Sequence, residues 1–289
     1  MSKLCQKLKR NEFVITAELF PPKGTDIGNL MRRAEMIGPL VDGINVTDNQ
    51  RASMRLGSIA VCRLLHEKGF PPILQMTCRD RNRIALQSDL LSAAVLGIEN
   101  ILVLSGDHPN IGEYKEAKGV YDIDPVQLLT AARMLEAGVD LAGKKLKGSP
   151  SFCLGAVVNP TAMPLELQIL MMEKKVKAGA EFFQTQTIFD VARYRQFHDR
   201  VRGFGVRVLP GVTLLKSMEF VKFLSSLPGV TIPETVVKRI AGAADPLEEG
   251  IRICAETIRE LRTFADGVHI MAIGMEEHIP RILAAANNS

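Results

Sequence analysis

Two carboxylates in this chain end or follow apolar runs of the kind that form buried strands. Glu18 lies at the end of the run 13–19, which two prolines terminate, and Asp107 follows the run 100–106. Exclusion of water disfavours the charged form of a carboxyl group, and a carboxyl group that holds its proton near neutral pH can act as a general acid. A charged aspartate beside a bound cofactor can instead tune the electronics of the cofactor ring. We therefore predict a catalytic acid at Glu18 and an electrostatic role for Asp107; the alternative is that neighbouring loops satisfy both.

Polar side chains also lie at the ends of the other apolar runs. Each such group costs about 1–3 kcal/mol when it is buried without a hydrogen-bond partner. Parallel strands bring their carboxyl ends to one face, so these side chains would lie within reach of a single ligand. The residues of this kind are Asn45, Thr47, Gln75, Thr77, Ser105, Asn159, Thr185 and Gln186.

The elements that would position these residues alternate along the chain. Apolar runs that predict strands cover 13–19, 43–47, 72–77, 100–106, 151–158, 181–187, 207–212 and 267–273. Segments with a helical period lie between them, for example 90–98 and 167–180. This alternation predicts an α/β fold with parallel strands and right-handed crossovers, and eight units predict a closed (βα)8 TIM barrel. A doubly wound open sheet is the alternative, but it usually has a glycine-rich turn after its first strand, where this chain has "FPPKG".

The helix signals and connections agree with a barrel. Asp26 and Asp190 are predicted to begin helices, and glycines are predicted to end three others. Two helical stretches, 234–243 and 246–265, predict one extra helix before the last strand. The long irregular segment 107–124 would lie at the carboxyl face, where barrel active sites are built. The three glycines that are predicted to end helices are Gly69, Gly97 and Gly179.

Composition limits the classes of protein that need to be considered. The chain has 289 residues, 46% hydrophobic and 24% charged, with a net charge of +4 that no basic run concentrates. We expect one barrel domain over 1–289 and no nucleic-acid partner. The first 13 residues lack the apolar core of a signal peptide, and no stretch of about 18 apolar residues occurs, so we expect a cytoplasmic protein without a membrane span.

The cysteines are too scattered in sequence to indicate a metal site. No Cys-x-x-Cys motif or Cys/His spacing is present, so we expect neither a disulfide nor a bound metal, and the thiols are predicted to be buried. The five cysteines are Cys5, Cys62, Cys78, Cys153 and Cys254.

Taken together in this order, six segments resemble the methylenetetrahydrofolate reductase family. Members of that family are flavin-dependent (βα)8 barrels that make 5-methyltetrahydrofolate. The resemblance covers about residues 12–286, and its most specific part is the long block that ends in "FFQTQTIFD". The segments are "AELFPPKG", "NVTDN", "QMTCRD", "VLSGDHP", "KKVKAGAEFFQTQTIFD" and "VLPGV".

The resemblance implies a role for each matching residue. Glu18 would be the general acid that helps to open the methylene bridge of the folate, and Asp107 would lie near the flavin and the pterin. Gln186 and Met218 would contact the substrate, methylenetetrahydrofolate. The cofactor would be FAD, which a donor reduces before it passes a hydride to the folate. The residues implied in FAD binding are Thr47, Gln75, Ser105, Gly106, Tyr121, Asn159 and Lys175.

Several positions depart from the commonest bacterial pattern of the family. Ser105 replaces an arginine, Gln75 a histidine and Asn159 a tyrosine. Met218 replaces an aromatic residue and Met275 an arginine. These changes put nicotinamide handling in question, so the electron donor is either NAD(P)H or a partner electron-transfer subunit. The chain would then resemble the flavin subunit of acetogen assemblies, in which iron–sulfur and zinc-containing subunits bring the electrons, and we expect an oligomer or hetero-complex.

Two other functions are compatible with the sequence. A pterin-binding methyltransferase barrel would bind folate without a flavin, and a barrel subunit without catalytic activity would act as a scaffold. The presence of Glu18, Asp107 and Gln186 together disfavours the scaffold, which has no use for all three.

Overall fold

A closed barrel of eight parallel strands forms the centre of the protein, in a computed structural model that describes residues 2–227 and 229–288. The strands follow one another around the barrel in chain order, and the first closes it by pairing with the last. They are β1 Val14–Leu19, β2 Gly43–Val46, β3 Pro72–Thr77, β4 Asn100–Leu104, β5 Cys153–Val158, β6 Phe182–Thr187, β7 Arg207–Thr213 and β8 Gly267–Met271. The predicted (βα)8 barrel is confirmed, and the open sheet is excluded because the barrel closes.

Helices connect the strands on the outside of the barrel, and one further helix lies before the first strand and one after the last. They are α1 Lys3–Lys9, α2 Gly28–Ile37, α3 Ser58–Glu67, α4 Arg83–Val95, α5 Pro125–Glu136, α6 Leu165–Lys177, α7 Val191–Val201, α8 Met218–Ser225, α9 Glu234–Gly242, α10 Pro246–Leu261 and α11 Ile279–Asn287. The extra helix before β8 is confirmed, but three helices lie in that connection where the sequence predicted two. The additional one, α8, has eight residues, which is about two turns and too short for its period to be recognised. No helix within 2–227 or 229–288 has the length and apolar character needed to cross a bilayer.

Most of the predicted helix ends are confirmed. Asp190 caps α7 by accepting a hydrogen bond from the Arg193 amide at 2.9 Å. The prediction that Asp26 caps α2 is wrong, because the next residue, Ile27, takes the capping position. The Asp26 carboxylate accepts a hydrogen bond from the Gly28 amide at 2.9 Å. The three glycines that follow helices all have the left-handed backbone that favours glycine: Gly69 at φ +80°, Gly97 at φ +80° and Gly179 at φ +107°.

The amino-terminal end of the barrel interior is apolar. Alternate residues of each strand face inward, and their lowest layer is a cluster of buried side chains that α1 covers from below. This layer, the barrel floor, consists of Val14, Ile73, Leu102, Cys153, Phe182 and Leu209, with Leu4, Cys5 and Leu8 of α1 packed against it. Helix α1 therefore closes the end of the barrel opposite the predicted site.

A layer of hydrogen-bonded polar side chains crosses the barrel above this floor. Asn45 and Gln184 exchange two bonds, Asn45 Nδ2 to Gln184 Oε1 at 2.6 Å and Gln184 Nε2 to Asn45 Oδ1 at 3.0 Å. Gln184 Nε2 also donates to Thr16 Oγ1 at 3.2 Å. Thr16 Oγ1 lies 2.9 Å from Nδ1 of His269. All four side chains are buried, so they supply one another's hydrogen bonds in the absence of water.

A glycine makes room for the largest side chain of the floor. A Cβ atom on Gly155 would lie 2.3 Å from the Phe182 ring, so the aromatic side chain occupies space that any other residue would fill. Phe182 and Gly155 are paired neighbours on β6 and β5. The floor thus depends on a small residue beside a large one, which is the way barrel layers interdigitate.

Gly155→Ala should lower the free energy of unfolding by about 1–3 kcal/mol, because the added methyl group overpacks the floor. Urea unfolding measures the change. Gly203→Ala is the matched control, because nothing lies within 4 Å of the Cβ it would add and the substitution removes the same backbone freedom from the unfolded chain. Equal unfolding midpoints for the two variants would contradict this account of the floor.

Candidate functional site

Glu18 rises from the polar layer toward the carboxyl-terminal mouth of the barrel. It is 7% exposed, and its register partner on β2 is Asn45. Gln75 Nε2 donates to Glu18 Oε2 at 3.2 Å, and His269 Nε2 lies 3.5 Å from the same oxygen. The structure therefore brings Gln75 to Glu18, as the convergence of strand ends predicts, and gives the carboxylate polar partners.

His269 is a residue of this site that the sequence analysis missed. Its ring joins Glu18 at Nε2 to Thr16 at Nδ1. When the Thr16 hydroxyl donates to Nδ1, the imidazole proton lies on Nε2, the nitrogen that faces the Glu18 carboxylate. The inward period of β8 places His269 inside the barrel, which was a usable signal, but the sequence did not show that β8 pairs Thr16 with His269.

A second buried carboxylate that the sequence analysis did not single out anchors the loop after β2. Asp48 Oδ2 accepts from the Thr77 amide at 2.8 Å and from the Thr77 hydroxyl at 2.9 Å. Asp48 also pairs with Arg81, which reaches Asp89 at 2.9 Å. Burial would lower the pKa of the Arg81 guanidinium, but these two carboxylates raise it above its ordinary value. Asp48 therefore holds the ends of β2 and β3 together beneath the mouth.

Asp107 belongs to a different group of contacts, in the loop after β4. Its side chain is exposed, and Oδ2 accepts from the Arg51 amide at 3.1 Å. Its backbone carbonyl accepts from Arg79 Nη1 at 3.1 Å and from the Tyr121 hydroxyl at 3.3 Å. Arg79 is 2% exposed and also pairs with Asp80 at 2.7 Å. The structure thus brings Asp107 and Tyr121 together at the rim of the mouth, around a buried arginine, and gives Glu18 separate partners.

The chain reaches this rim through Ser105 and Gly106. Ser105 is exposed, and Gly106 has φ +82°, a conformation that other residues adopt with strain. A Cβ on Gly106 would lie 3.1 Å from the Thr77 side chain and 3.2 Å from that of Arg79. The glycine therefore allows the backbone before Asp107 to pass close to the end of β3.

Thr47 offers a polar atom that the protein itself does not use. The residue is 2% exposed, and within the described part of the chain its Oγ1 is buried without a hydrogen-bond partner. The hydroxyl of Thr187, at the end of β6, is in the same condition. Since nearly all buried polar groups in proteins are hydrogen-bonded, an orphaned hydroxyl beside a mouth indicates a position for a polar atom of a ligand.

Lys175 brings a cation to the end of β5. Its Nζ donates to the Val157 carbonyl at 2.7 Å. Burial lowers the pKa of the Lys175 ammonium, and the neighbouring Asp124 and Cys78 act in the opposite direction. The ammonium is half-buried and can contribute a hydrogen-bond donor to a bound anion.

The remaining predicted residues lie around the rim. Asn159 is occupied by its own loop, where Oδ1 accepts from the Thr161 amide at 3.0 Å and hydroxyl at 2.8 Å. Gln186 is exposed at the end of β6. Met218 is the first residue of α8 and packs half-buried against an apolar cluster that includes Leu215. Gln186 is therefore accessible to a substrate, whereas Met218 is fixed by packing.

The fold and the site together define the class of protein as a (βα)8 barrel with an enzyme-type ligand site. The carboxyl-terminal mouth is polar, a buried carboxylate lies inside it, and a hydroxyl without a partner lies beside it. Comparison with known sequences is more specific. The family model for methylenetetrahydrofolate reductase matches residues 3–287, so the chain belongs to that family of oxidoreductases.

Individual relatives agree with this membership. The 5,10-methylenetetrahydrofolate reductase of Buchnera aphidicola is 25% identical over 80% of this chain and 75% of its own length. Methylenetetrahydrofolate reductase 2 of Schizosaccharomyces pombe is 25% identical over 97% of this chain, which spans 46% of that longer relative. Among solved structures, an uncharacterized protein from Clostridium thermocellum that binds two copies of 5-methyl-5,6,7,8-tetrahydrofolic acid superposes with a TM-score of 0.67 at 18% identity, over 99% of this chain and 98% of that one. The last likeness shows the fold.

Thr47→Val should leave the stability of the ligand-free protein unchanged or slightly increased, because it replaces an unpaired hydroxyl by a methyl group. Thr77→Val should lower the free energy of unfolding by about 1.5–3 kcal/mol, because it removes the hydroxyl bond to the Asp48 carboxylate. Urea unfolding of the ligand-free variants makes the comparison. A large loss of stability in Thr47→Val would show that the hydroxyl has a partner within the protein.

Proposed function

We propose that this protein reduces 5,10-methylenetetrahydrofolate to 5-methyltetrahydrofolate, with FAD as its bound cofactor and Glu18 as the general acid. The observation that carries the proposal is the buried Glu18 carboxylate at the barrel mouth, held by Gln75 and His269 in a chain that belongs to the methylenetetrahydrofolate reductase family. Opening the methylene bridge of the folate requires a proton, and a carboxyl group in this position can deliver one.

The residues at the mouth fit a flavin nucleotide. The Thr47 hydroxyl is buried and unpaired in the described structure, so a polar atom of the cofactor would satisfy it. The half-buried ammonium of Lys175 suits a phosphate. Gly106 allows close approach of backbone to a ligand, and Tyr121 lies on the same rim. When bound there, FAD supplies the hydride for the reduction.

The side chains around Glu18 have distinct tasks in this proposal. Gln75 and His269 orient the carboxylate, and the Thr16 contact fixes the position of the imidazole. Gln186, exposed at the end of β6, binds the folate, and Met218 borders it from α8. Asp107 is exposed on the rim. Its negative charge there opposes the build-up of further negative charge on the cofactor ring.

Glu18→Gln should retain FAD and still be reduced by an electron donor, because the amide keeps the shape of the side chain. Its transfer to methylenetetrahydrofolate should fall by about 10²–10⁴-fold, the usual contribution of a placed general acid. The two half-reactions are followed separately, by bleaching of the flavin absorbance and by its reoxidation with methylenetetrahydrofolate.

Glu67→Gln is the matched control, because Glu67 is an exposed glutamate of α3 that pairs with Arg63. It should leave both half-reactions unchanged. Reoxidation of Glu18→Gln by the folate at the wild-type rate would exclude Glu18 as the acid. A colourless purified protein that still binds folate would favour the methyltransferase alternative.

The electron donor is the second part of the proposal. Four residues replace larger, aromatic or charged groups of the commonest family pattern, so we expect fewer stacking and charged contacts to a nicotinamide nucleotide at this mouth. They are Ser105, Gln75, Asn159 and Met218. We infer that electrons arrive through a partner subunit docked near the mouth, and that the protein works in an oligomer or hetero-complex.

The chain alone should therefore be reduced slowly by NADH and rapidly by a reduced viologen. Stopped-flow bleaching of the bound flavin compares the two donors on one protein sample, and the viologen reaction verifies that the flavin is accessible. Fast, saturable bleaching at micromolar NADH would contradict the need for a partner and indicate a self-sufficient enzyme.

A further inference from the structure

A cavity of about 430 Å³ lies at the amino-terminal end of the barrel, opposite the mouth. Two cysteines and a carboxylate line it: Cys5 of α1, Cys153 at the start of β5, and Glu181 just before β6. The function proposed above makes no use of this end of the molecule. A role for the cavity and the three side chains would therefore be separate from that of the mouth.

The three side chains present their donor atoms to one point. The Cys5 and Cys153 sulfur atoms and a Glu181 carboxylate oxygen all lie within 4.8 Å of one another. Cys5 Sγ is 3.4 Å from Glu181 Oε2. Both thiols are 2% exposed, so the fold, and not the solvent, determines where they are.

The carboxylate is held in place by its other oxygen. Arg133 Nη2 donates to Glu181 Oε1 at 2.7 Å, and the Leu154 amide donates to the same oxygen at 3.3 Å. Oε2 is the oxygen directed to Cys5, with Lys9 Nζ 3.8 Å away. Outer contacts of this kind orient the ligands of many protein metal sites.

We propose that Cys5, Cys153 and Glu181 bind a thiophilic divalent cation of the zinc class, with a water molecule from the cavity as the fourth ligand. Two thiolates and a carboxylate are a donor set that zinc accepts, and tetrahedral zinc with Zn–S bonds of about 2.3 Å places its sulfur ligands roughly 3.8 Å apart. The present separations therefore need only a small contraction. Two thiol protons leave on binding, and the net charge of the bound group is offset by Arg133 and Lys9.

Such a cation would tie α1 to the barrel. Helix α1 supplies Cys5 to the site and packs Leu4 and Leu8 against the barrel floor. Cys153 belongs both to that floor and to the site. Because the cation would bind the folded arrangement and not the unfolded chain, it should stabilise the protein.

Titration of the reduced 289-residue chain with Cd²⁺, a spectroscopic probe for zinc, should show binding of one equivalent, with a thiolate-to-metal absorption band in the ultraviolet. Competition with a chromophoric chelator measures Zn²⁺ affinity. Cys5→Ala and Cys153→Ala should each weaken it by on the order of 100-fold or more, and Glu181→Gln by about tenfold. Cys254→Ala is the control, because that buried thiol bonds to the Thr213 carbonyl away from the cavity, and it should bind as the wild type does.

A measurement on the unaltered chain avoids dependence on the folding of the variants. Zn²⁺ should raise the Tm. In urea below the unfolding midpoint, which exposes the two buried thiols, it should also slow alkylation of Cys5 and Cys153, identified by mass spectrometry. Binding that persists in both cysteine variants, or a reduced wild-type chain that takes up no Cd²⁺, would overturn the proposal. Formation of a Cys5–Cys153 disulfide on exposure to a peroxide, with no cation binding by the reduced form, would also overturn it and assign the pair a redox role.

Discussion

The hydrogen-bonded layer inside the barrel is the interaction on which the rest of the site depends. Asn45, Gln184, Thr16 and His269 lie where water does not reach, so each polar atom left unpaired there would carry a penalty of about 1–3 kcal/mol. The amide pair satisfies itself and passes one further bond to Thr16, which reaches the imidazole. Such a network is rigid because no member can turn without leaving another unpaired.

This rigidity determines what Glu18 can do. The Glu18 carboxylate lies beside His269, a member of the polar layer. Glu18 is part of strand β1 and not of a loop. Groups on regular elements are placed more precisely than groups on loops. Asp107 and Tyr121, in contrast, lie on the long segment after β4 and are positioned through the buried Arg79. The site therefore combines a fixed acid inside the barrel with a rim built from loops, which suits a proton donor below and ligand contacts above.

The two ends of the barrel have different chemistry for a structural reason. Inward residues near the amino end form an apolar floor that α1 covers, whereas those near the carboxyl end are polar and open to a ligand. The floor excludes water from below the polar layer and so preserves its hydrogen bonds. The two cysteines near Glu181 lie at the margin of the floor, where α1 meets the strands. A ligand there would act on the stability of the barrel and not on the mouth.

Much of this arrangement was already present in the sequence. Buried parallel strands leave continuous apolar runs and the crossovers leave a helical period, so all eight strands and the carboxylate at the exit of β1 could be located. The family was apparent from segments such as the one around Glu18, and the match over residues 3–287 confirms it. The eight-residue α8 was missed because two turns are too few to show a period.

Only the tertiary structure decided which inward residues meet. Because side chains alternate along a strand, the sequence of β8 indicates that His269 faces into the barrel. Barrel closure and strand stagger determine that it lies beside Thr16, 253 positions earlier. The same applies to Asn45 and Gln184, 139 positions apart, and to Glu181 and Cys5, 176 positions apart. Spacing along the chain gave no sign of a thiol–carboxylate cluster, because its members come from three separate segments of the chain. Local sequence sets the direction of each side chain, whereas its partner depends on how the whole barrel closes.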